Sequence, residues 1–234
     1  MEPYGLALKD YWDGNKLAKV IIHRDDGLLD DYFVSRCFRK PEEFSELEKK
    51  ALVSCFGKVL DVGAGVGPHS LALQTMGLDV YAIDISTEAC EIMKKRGLKN
   101  VLCSNVYGLR ENNFDTILLM GRAIGFVGDL AGMAKFLRHC DTILSSNGII
   151  LLNSLDVRIT SEPAHLDYQK KKKKWGRYFG VIGLQFEYNG QFGQQFKLLH
   201  IDPDTLNNIT EELDWNFKIL RKEESGDYLA KIFR

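Results

Sequence analysis

Five short apolar segments alternate with stretches of helical length in the middle of the chain, and no other feature of the sequence limits the fold as much. The apolar segments are residues 58–62, 78–85, 100–106, 115–120 and 148–155. Gly77 and Gly97 stand where two of the intervening helices stop, and Ser86 stands where one can be capped. Strands that alternate with helices of about ten residues predict βαβ units. Right-handed crossovers then place the strands in one parallel sheet with helices on both faces.

The two ends of the predicted sheet differ from its centre. Central segments such as Ile149-Ile150-Leu151-Leu152 are apolar at every position, as strands buried on both faces require. Residues 216–222 and 228–233 are joined by a short polar link, which predicts an antiparallel pair. We therefore predict an α/β fold with a Rossmann-like, doubly wound, mostly parallel seven-stranded sheet and an antiparallel edge strand.

Two further parts flank this core. The first 55 residues are predicted to be partly helical, with one helix that begins at Pro41. Residues 181–188 and 194–200 flank Asn189-Gly190, which is a hairpin signal. The predicted organisation is an N-terminal helical segment, 1–55, and a domain, 56–234, with an insertion at about 157–202.

Composition narrows the classes of function. The chain has 31 basic and 32 acidic side chains and a formal net charge of -1, so it lacks the basic surplus of a typical nucleic-acid binder. No apolar run approaches the roughly 20 residues that span a bilayer, and no signal peptide is visible at the N-terminus. The five cysteines include no C-x-x-C pair and the histidines are scattered, which predicts reduced thiols in a cytoplasmic protein and no metal site.

A glycine loop at the end of the first apolar segment is the most informative motif. The predicted strand runs into Gly63, Gly65 and Gly67, and a helix follows. Glycine lets the backbone turn sharply and approach a ligand closely, while the amides of a helix N-terminus face that ligand. The next predicted strand ends at Asp84, and an acid at this position can bind both hydroxyls of a ribose.

The spacing of the glycines separates two classes of nucleotide-binding protein. The dinucleotide fingerprint G-x-G-x-x-G requires glycine where this chain has Pro68. The spacing here is G-x-G-x-G, with Asp61 just before it and Asp84 on the next strand. This arrangement resembles the class I S-adenosylmethionine-dependent methyltransferases, over about residues 56–156 and, by topology, over 203–234. A nicotinamide or flavin oxidoreductase and a glycine turn without a ligand are the alternatives.

The resemblance implies a site for S-adenosyl-L-methionine. The backbone that would approach the methionine moiety belongs to Gly63, Ala64, Gly65 and Gly67. Asp61 would fix the loop and reach the amino group of the cofactor, directly or through water. Asp84 would accept hydrogen bonds from both ribose hydroxyls, and Ile85 would pack on the adenine.

The resemblance also implies contacts farther along the sheet. In the family, an acid after the third strand often receives the adenine amino group. Here Asn105, followed by Val106, has that place, and its amide can both accept and donate. Met120 and Gly121, at the tip of the fourth strand, would line the methyl-donor pocket.

Three residues are candidates for the acceptor side. Arg122 follows the fourth strand and would anchor an anionic substrate, with a surface ion pair as the alternative. Asp156 follows the fifth strand and would orient a substrate amine or act as a base, with a structural role as the alternative. Tyr11 is the predicted lid contact, because in similar methyltransferases the N-terminal segment often folds over the cofactor. An ordinary core aromatic is the other interpretation of Tyr11.

We therefore expect a methyltransferase that acts on an oxygen, nitrogen or carbon nucleophile of a small molecule. An RNA methyltransferase that uses the lysine run 170–174 is a second hypothesis. A non-catalytic subunit that keeps the fold and binds the cofactor is a third. Nucleic-acid and membrane partners are not expected, and the sequence does not give the oligomeric state.

Overall fold

The computed structural model describes residues 2–234, and its elements alternate much as the sequence predicts. The helices are α1 Glu2–Trp12, α2 Glu46–Ser54, α3 Pro68–Thr75, α4 Thr87–Lys95, α5 Leu130–Ile143, α6 Pro163–Lys174 and α7 Pro203–Glu212. The strands are β1 Lys19–Arg24, β2 Leu29–Phe33, β3 Lys58–Val62, β4 Asp79–Asp84, β5 Asn100–Cys103, β6 Phe114–Leu119, β7 Leu144–Leu155, β8 Val181–Tyr188, β9 Gln191–Phe192, β10 Phe196–Leu199, β11 Asn216–Lys222 and β12 Asp227–Phe233.

The main sheet has the seven strands that the sequence predicts. Its order is β11-β12-β7-β6-β3-β4-β5, with β3 to β7 parallel and β12 antiparallel to both of its neighbours. Leu60, Ile117 and Ile150 on the three central strands are fully buried, because helices cover both faces. The fold prediction is confirmed, and the carboxyl ends of β3, β4, β5, β6 and β7 meet at one edge of the sheet.

Local capping sets where the helices around this sheet begin. Ser86 Oγ accepts from the Ala89 amide at 3.2 Å, as predicted for the start of α4. Asp129 caps α5 in the same way. The helix predicted from Pro41 begins instead at Glu46, because Ser45 and Glu48 form a capping box there. Pro41 opens a short 3₁₀ turn.

A second sheet covers the edge at which the parallel strands end. Its order is β10-β8-β1-β2, with β9 also paired to β8. The predicted hairpin is confirmed, since β8 pairs antiparallel with β10 and with β9. The chain reverses at Asn189 and Gly190, which both have positive φ.

The N-terminal segment is less helical than predicted. Helices form at residues 2–12 and 46–54. Residues 19–24 and 29–33 form the strands β1 and β2 instead, so the description of 1–55 as a helical segment is wrong for these residues. The β-branched run Val20-Ile21-Ile22 favours a strand, and β1 finds an antiparallel partner in β8 of the insertion. The N-terminal segment and the insertion therefore share one sheet.

Helix α1 is held against the main domain by apolar packing. Ala7 and Leu8 are fully buried, in a cluster with Val66 of the glycine loop and Ile92 of α4. This packing places the first turns of the chain beside the strand that ends at Asp84.

Within residues 2–234, no helix combines the length and the apolar character needed to cross a membrane.

Candidate active site

The glycine loop joins β3 to α3 through three residues in the left-handed region. The φ angles are +70° at Gly63, +58° at Gly65 and +75° at Gly67. Residues with a Cβ rarely adopt such angles, so the loop needs glycine for its backbone path. Gly67 is the N-cap of α3, which leaves the first amides of that helix directed toward the loop.

The space around the three glycines shows which side of the loop is free. A Cβ on Gly63 would lie 3.1 Å from the Ala123 Cβ, and one on Gly67 would lie 2.5 Å from the Leu98 Cδ1. A Cβ on Gly65 would meet nothing within 4 Å. Gly63 and Gly67 are thus packed against the protein, while Gly65 faces open space where a ligand can lie on the backbone. The loop fits the cofactor that the sequence implies.

Asp84 is tied directly to this loop. Its Oδ2 accepts from the Gly65 amide at 2.8 Å and its Oδ1 accepts from the Ser86 amide at 2.9 Å. Burial raises the pKa of Asp84, and hydrogen bonds from the backbone amides of Ser86, Gly65 and Ile85 oppose that shift because they stabilise the carboxylate. Each carboxylate oxygen keeps a further lone pair, which suits a pair of ribose hydroxyls.

Asp61, on β3, has a different role from Asp84, which ends β4. Its side chain is buried, and Oδ2 accepts from Ser70 Oγ at 2.6 Å. Burial raises the pKa of Asp61. This bond anchors the carboxylate to α3, the helix that follows the loop, and its predicted reach to the amino group of the cofactor stays a prediction.

The residues predicted for adenine differ in what they present. Ile85 follows Asp84 directly, and this large apolar side chain is 56% exposed. Asn105 is exposed; its Oδ1 accepts from the Tyr107 amide at 3.0 Å, and its NH₂ group makes no hydrogen bond within residues 2–234. Val106 is buried in the main core, so its side chain packs against the protein. The side chains of Ile85 and Asn105 can contact an adenine, whereas Val106 can do so only through its backbone.

The tip of β6 makes a sharp turn beside the loop. Met120 is buried, and Gly121 has a φ of +62° and open space at its Cβ position. Arg122 has a φ of +61°, and its amide donates to Asn153 Oδ1 at 2.9 Å. A 3₁₀ turn, Ala123–Val127, follows and brings Ala123 against Gly63.

Arg122 and Asp156, the predicted acceptor-side residues, are both engaged in ion pairs. The Arg122 guanidinium binds both oxygens of Asp227, at 2.8 and 2.6 Å. The Asp156 carboxylate accepts hydrogen bonds from Nε and one Nη of Arg158, each at 2.7 Å. These ion pairs occupy much of the hydrogen-bonding capacity of both residues, so the structural alternatives have the geometry in their favour, and both substrate roles stay predictions.

Tyr11 lies behind the glycine loop. Its ring stacks on Phe38 with centroids 4.5 Å apart, and the Arg96 guanidinium also lies over the Phe38 ring and donates to the Val66 carbonyl at 2.6 Å. Tyr11 therefore backs the loop through Arg96, which is the packing role that the sequence left open. Its contact with a cofactor stays a prediction.

Tyr4 lies in the part of α1 that reaches the start of α4, just after Asp84. A Cβ on the next residue, Gly5, would lie 2.8 Å from Ser86 Oγ, so the first turn of α1 touches the start of α4. The Tyr4 hydroxyl lies 3.0 Å from Cys37 Sγ. Burial raises the pKa of the Cys37 thiol, and the charge of Asp84 adds to that shift. Tyr4 and Tyr11 share a helix face by their spacing of seven, and only the packing of α1 decides which one lies near the site.

His200 is a histidine whose buried surroundings the sequence did not reveal. It follows β10, and its amide donates to the Gly180 carbonyl at 2.7 Å. Its Nδ1 is buried and makes no hydrogen bond with any residue from 2 to 234. Burial lowers the pKa of His200 to about 4, the charge of Arg122 acts in the same direction, and Asp227 opposes it. Nothing in the sequence around a single histidine after a hairpin indicates that its ring will be buried without a hydrogen-bond partner.

These features define a class before any comparison: a mostly parallel sheet with a glycine loop after its first parallel strand and a carboxylate at the end of the second, an arrangement that can bind an adenosine. A family model described as "Methyltransferase domain" matches residues 60–152. A solved SAM-dependent methyltransferase from Bacteroides fragilis, in complex with S-adenosyl-L-homocysteine, is 31% identical over 98% of this chain and 93% of that chain, with a TM-score of 0.86. The chain belongs to the class I S-adenosylmethionine-dependent methyltransferases, and its cofactor is S-adenosylmethionine.

Two further comparisons mark how far the likeness extends. A curated ubiquinone biosynthesis O-methyltransferase from Haemophilus ducreyi is 30% identical over 128 residues, which are 50% of this chain and 52% of that protein. The match thus spans about half the length of the curated relative. The structure of the CcbJ methyltransferase from Streptomyces caelestis is 12% identical with a TM-score of 0.59, over 82% of this chain and 93% of that one, and shows a shared fold.

Proposed function

We propose that this protein transfers the methyl group of S-adenosylmethionine to a hydroxyl oxygen of a small molecule. The observation that carries the small-molecule part is the roof over the tip of β6. A Cβ on Gly125 would lie 2.6 Å from the Leu198 Cγ, so β10 packs directly on the turn that follows Arg122. A site roofed this closely favours a small acceptor over a folded macromolecule.

The choice of oxygen rests on chemistry and on one relative. The curated relative from Haemophilus ducreyi is named an O-methyltransferase. His200 supplies an imidazole that burial keeps neutral at physiological pH, and a neutral imidazole can accept a hydrogen bond from a hydroxyl. The name of the relative supports oxygen over nitrogen or carbon, and the imidazole is compatible with a hydroxyl acceptor.

The chain's own residues have simple tasks in this reaction. The bound cofactor supplies a methyl group that its sulfonium has already activated. The loop at Gly63–Gly67 and Asp84 would hold the cofactor in one orientation, and the roof from β8 and β10 would exclude water. What remains for the protein is to place the acceptor oxygen in line with the methyl group.

The lysine run has a structural explanation that does not need RNA. Lys170–Lys174 forms the last turns of α6, where positive charges favour the helix dipole. Lys172 is 8% exposed, and its Nζ lies 3.3 Å from Asp25 Oδ2 in the turn between β1 and β2. Lys172 thus helps to fasten α6 to the second sheet.

An acceptor screen tests the proposed function. Purified protein is incubated with methyl-labelled cofactor and matched sets of small phenols, alcohols, amines and thiols, and release of S-adenosylhomocysteine is measured. We expect turnover with hydroxyl compounds. Turnover confined to amines or carbon nucleophiles would contradict the choice of oxygen, and binding of the cofactor without any turnover would favour the non-catalytic subunit.

We also propose a cytoplasmic location. All five cysteines carry free thiols, and Cys103 is exposed, which suits a reducing compartment. Fractionation of cells that express the protein tests this, and recovery from an oxidising compartment would contradict it.

A further inference from the structure

The imidazole of His200, which resemblance to the family did not assign, has no hydrogen-bonding task within the chain. We propose that His200 binds the acceptor hydroxyl and receives its proton as the methyl group is transferred. This inference rests on the proposed function and deepens it. Three observations carry it: where His200 lies, what its ring lacks, and which charges face it.

The position of His200 follows from contacts that start at the glycine loop. A Cβ on Gly63 would lie 3.1 Å from Ala123, which begins the 3₁₀ turn after β6; a Cβ on Gly125 in that turn would lie 2.6 Å from Leu198 Cγ, two residues before His200. The residue after His200, Ile201, donates its amide to Ser154 Oγ at 3.1 Å, near the carboxyl end of β7. His200 therefore lies near the carboxyl ends of β6 and β7, and β3 separates these strands from β4, which ends at Asp84.

The ring of His200 has hydrogen-bonding capacity that the protein does not use. Nδ1 is buried without a partner among residues 2–234, and a buried unpaired group costs about 1–3 kcal/mol. Nε2 also makes no hydrogen bond in this part of the chain, yet it is not among the fully buried atoms. With the hydrogen on Nδ1, the lone pair of Nε2 is directed to the open side and can accept a hydrogen bond from a hydroxyl.

The charged groups around His200 are paired with one another. The charges of Arg122 and Arg24 both lower the pKa of His200 and so favour the neutral ring. Arg122 is bound to Asp227, and Arg24 is bound to Asp26 at 2.5 Å and to Asp30 at 3.1 Å. Asp227 is the one carboxylate among these that favours the protonated ring, so it can stabilise the imidazolium once that forms.

The transfer balances with His200 as the proton acceptor. A lone pair of the acceptor oxygen forms the new C–O bond to the methyl carbon. The C–S bond breaks, and its electron pair stays on sulfur as a neutral thioether. The hydroxyl proton becomes strongly acidic as the C–O bond forms, so even a weakly basic imidazole can take it at Nε2.

The test compares His200→Gln and His200→Ala with the matched control His165→Gln. His165 lies on α6, where its Nδ1 contacts Thr160 Oγ1 at 3.3 Å. The probe acceptor is catechol, and the readouts are kcat, KM for catechol, the pH profile of kcat, and S-adenosylhomocysteine affinity by calorimetry. We expect both His200 variants to lose about 10²–10⁴-fold in kcat. Their S-adenosylhomocysteine affinity is expected to stay within threefold of wild type, and the control is expected to keep wild-type kinetics.

The pH profile separates a proton acceptor from a structural residue. Wild-type kcat is expected to fall on the acid side as His200 is protonated, and this acid limb is expected to vanish in His200→Gln. Unchanged kcat, or a persisting acid limb, or a parallel loss of S-adenosylhomocysteine binding would each overturn the inference. If the wild type binds S-adenosylhomocysteine but turns over neither catechol nor any other hydroxyl compound, the proposed function itself has failed.

Discussion

At the scale of single residues, Gly65 has a freedom that the other two glycines of its loop lack. Gly63 and Gly67 are packed against Ala123 and Leu98, whereas the Cβ position of Gly65 is empty. The Gly65 amide also donates to Asp84, which joins the two halves of the cofactor site. A side chain at position 65 would therefore enter the space intended for the ligand.

We predict that Gly65→Val abolishes cofactor binding in a protein that still folds. Gly77→Val is the matched control, because Gly77 has a φ of +89° and an equally empty Cβ position at the far end of α3. Each variant is expected to lose about 1–3 kcal/mol of stability through backbone strain. Calorimetry with S-adenosylhomocysteine should show binding by Gly77→Val alone, and equal affinities would place the ligand away from this loop.

The sequence predicts residues of this kind because their chemistry is local. Gly63, Gly65 and Gly67 lie between a strand and a helix within a few positions, and Asp84 ends the next strand. Arg122 shows where such reasoning stops. Its partner, Asp227, lies 105 residues later in the chain, and nothing near Arg122 indicates that an ion pair forms. The buried ring of His200 depends on the tertiary structure in the same way.

At the scale of elements, Glu48 joins α2 to the helix that carries the glycine loop. Its carboxylate accepts hydrogen bonds from both Nη atoms of Arg39, at 3.0 and 2.7 Å, and lies 2.8 Å from Nε2 of His69 on α3. The Ser45 amide donates to it at 2.8 Å. Burial alone would raise the pKa of Glu48, but the hydrogen bonds from His69, Arg39 and Ser45 outweigh burial and lower it to about 2.

We predict that Glu48→Gln destabilises the protein at neutral pH and flattens its acid denaturation. The folded pKa of about 2 lies below the ordinary value of 4.5, so the carboxylate contributes stability above pH 4.5 that is lost as the pH falls toward 2. The loss at pH 7 is expected to be about 3 kcal/mol, as for breaking a buried ion pair.

Urea denaturation from pH 7 down to pH 2 measures this effect. Glu46→Gln is the control, because Glu46 lies on the same helix in an exposed pair with Lys49 and its loss should change little. If Glu48→Gln and wild type lose stability in parallel between pH 4.5 and pH 2, Glu48 is not the group that links stability to pH.

The elements were predictable to different degrees. The parallel strands β3, β4 and β6 were readable from sequence because each is an apolar run between glycines and helix caps. The strands β1 and β2 were not, because their stability depends on pairing with β8, which lies far along the chain. A strand whose partner is remote looks locally like any short amphipathic stretch.

At the scale of the whole molecule, the N-terminal segment is part of the fold. Helix α1 packs on α4 and β8, and β1 lies between β2 and β8 in the second sheet. Removing contacts in this segment should therefore destabilise the entire structure.

We predict that Leu8→Ala costs about 2–5 kcal/mol of unfolding free energy, because it leaves a cavity at a fully buried position. Leu17→Ala is the control, since Leu17 is 79% exposed and its loss should cost less than about 0.5 kcal/mol. Thermal denaturation is expected to show a Tm lower by about 5–15 °C for Leu8→Ala. Equal Tm values for the two variants would mean that α1 does not stabilise the core.

The central claim is that the glycine loop and Asp84 together bind S-adenosylmethionine, and calorimetric titration with S-adenosylhomocysteine tests it most directly. The wild type is expected to bind one equivalent. Asp84→Ala is expected to bind more weakly by roughly 2–3 kcal/mol, or about 30- to 150-fold, because charge-assisted hydrogen bonds to the ribose are lost. Unchanged affinity in Asp84→Ala would contradict the account, as would a wild type that ignores S-adenosylhomocysteine and binds a nicotinamide or flavin dinucleotide.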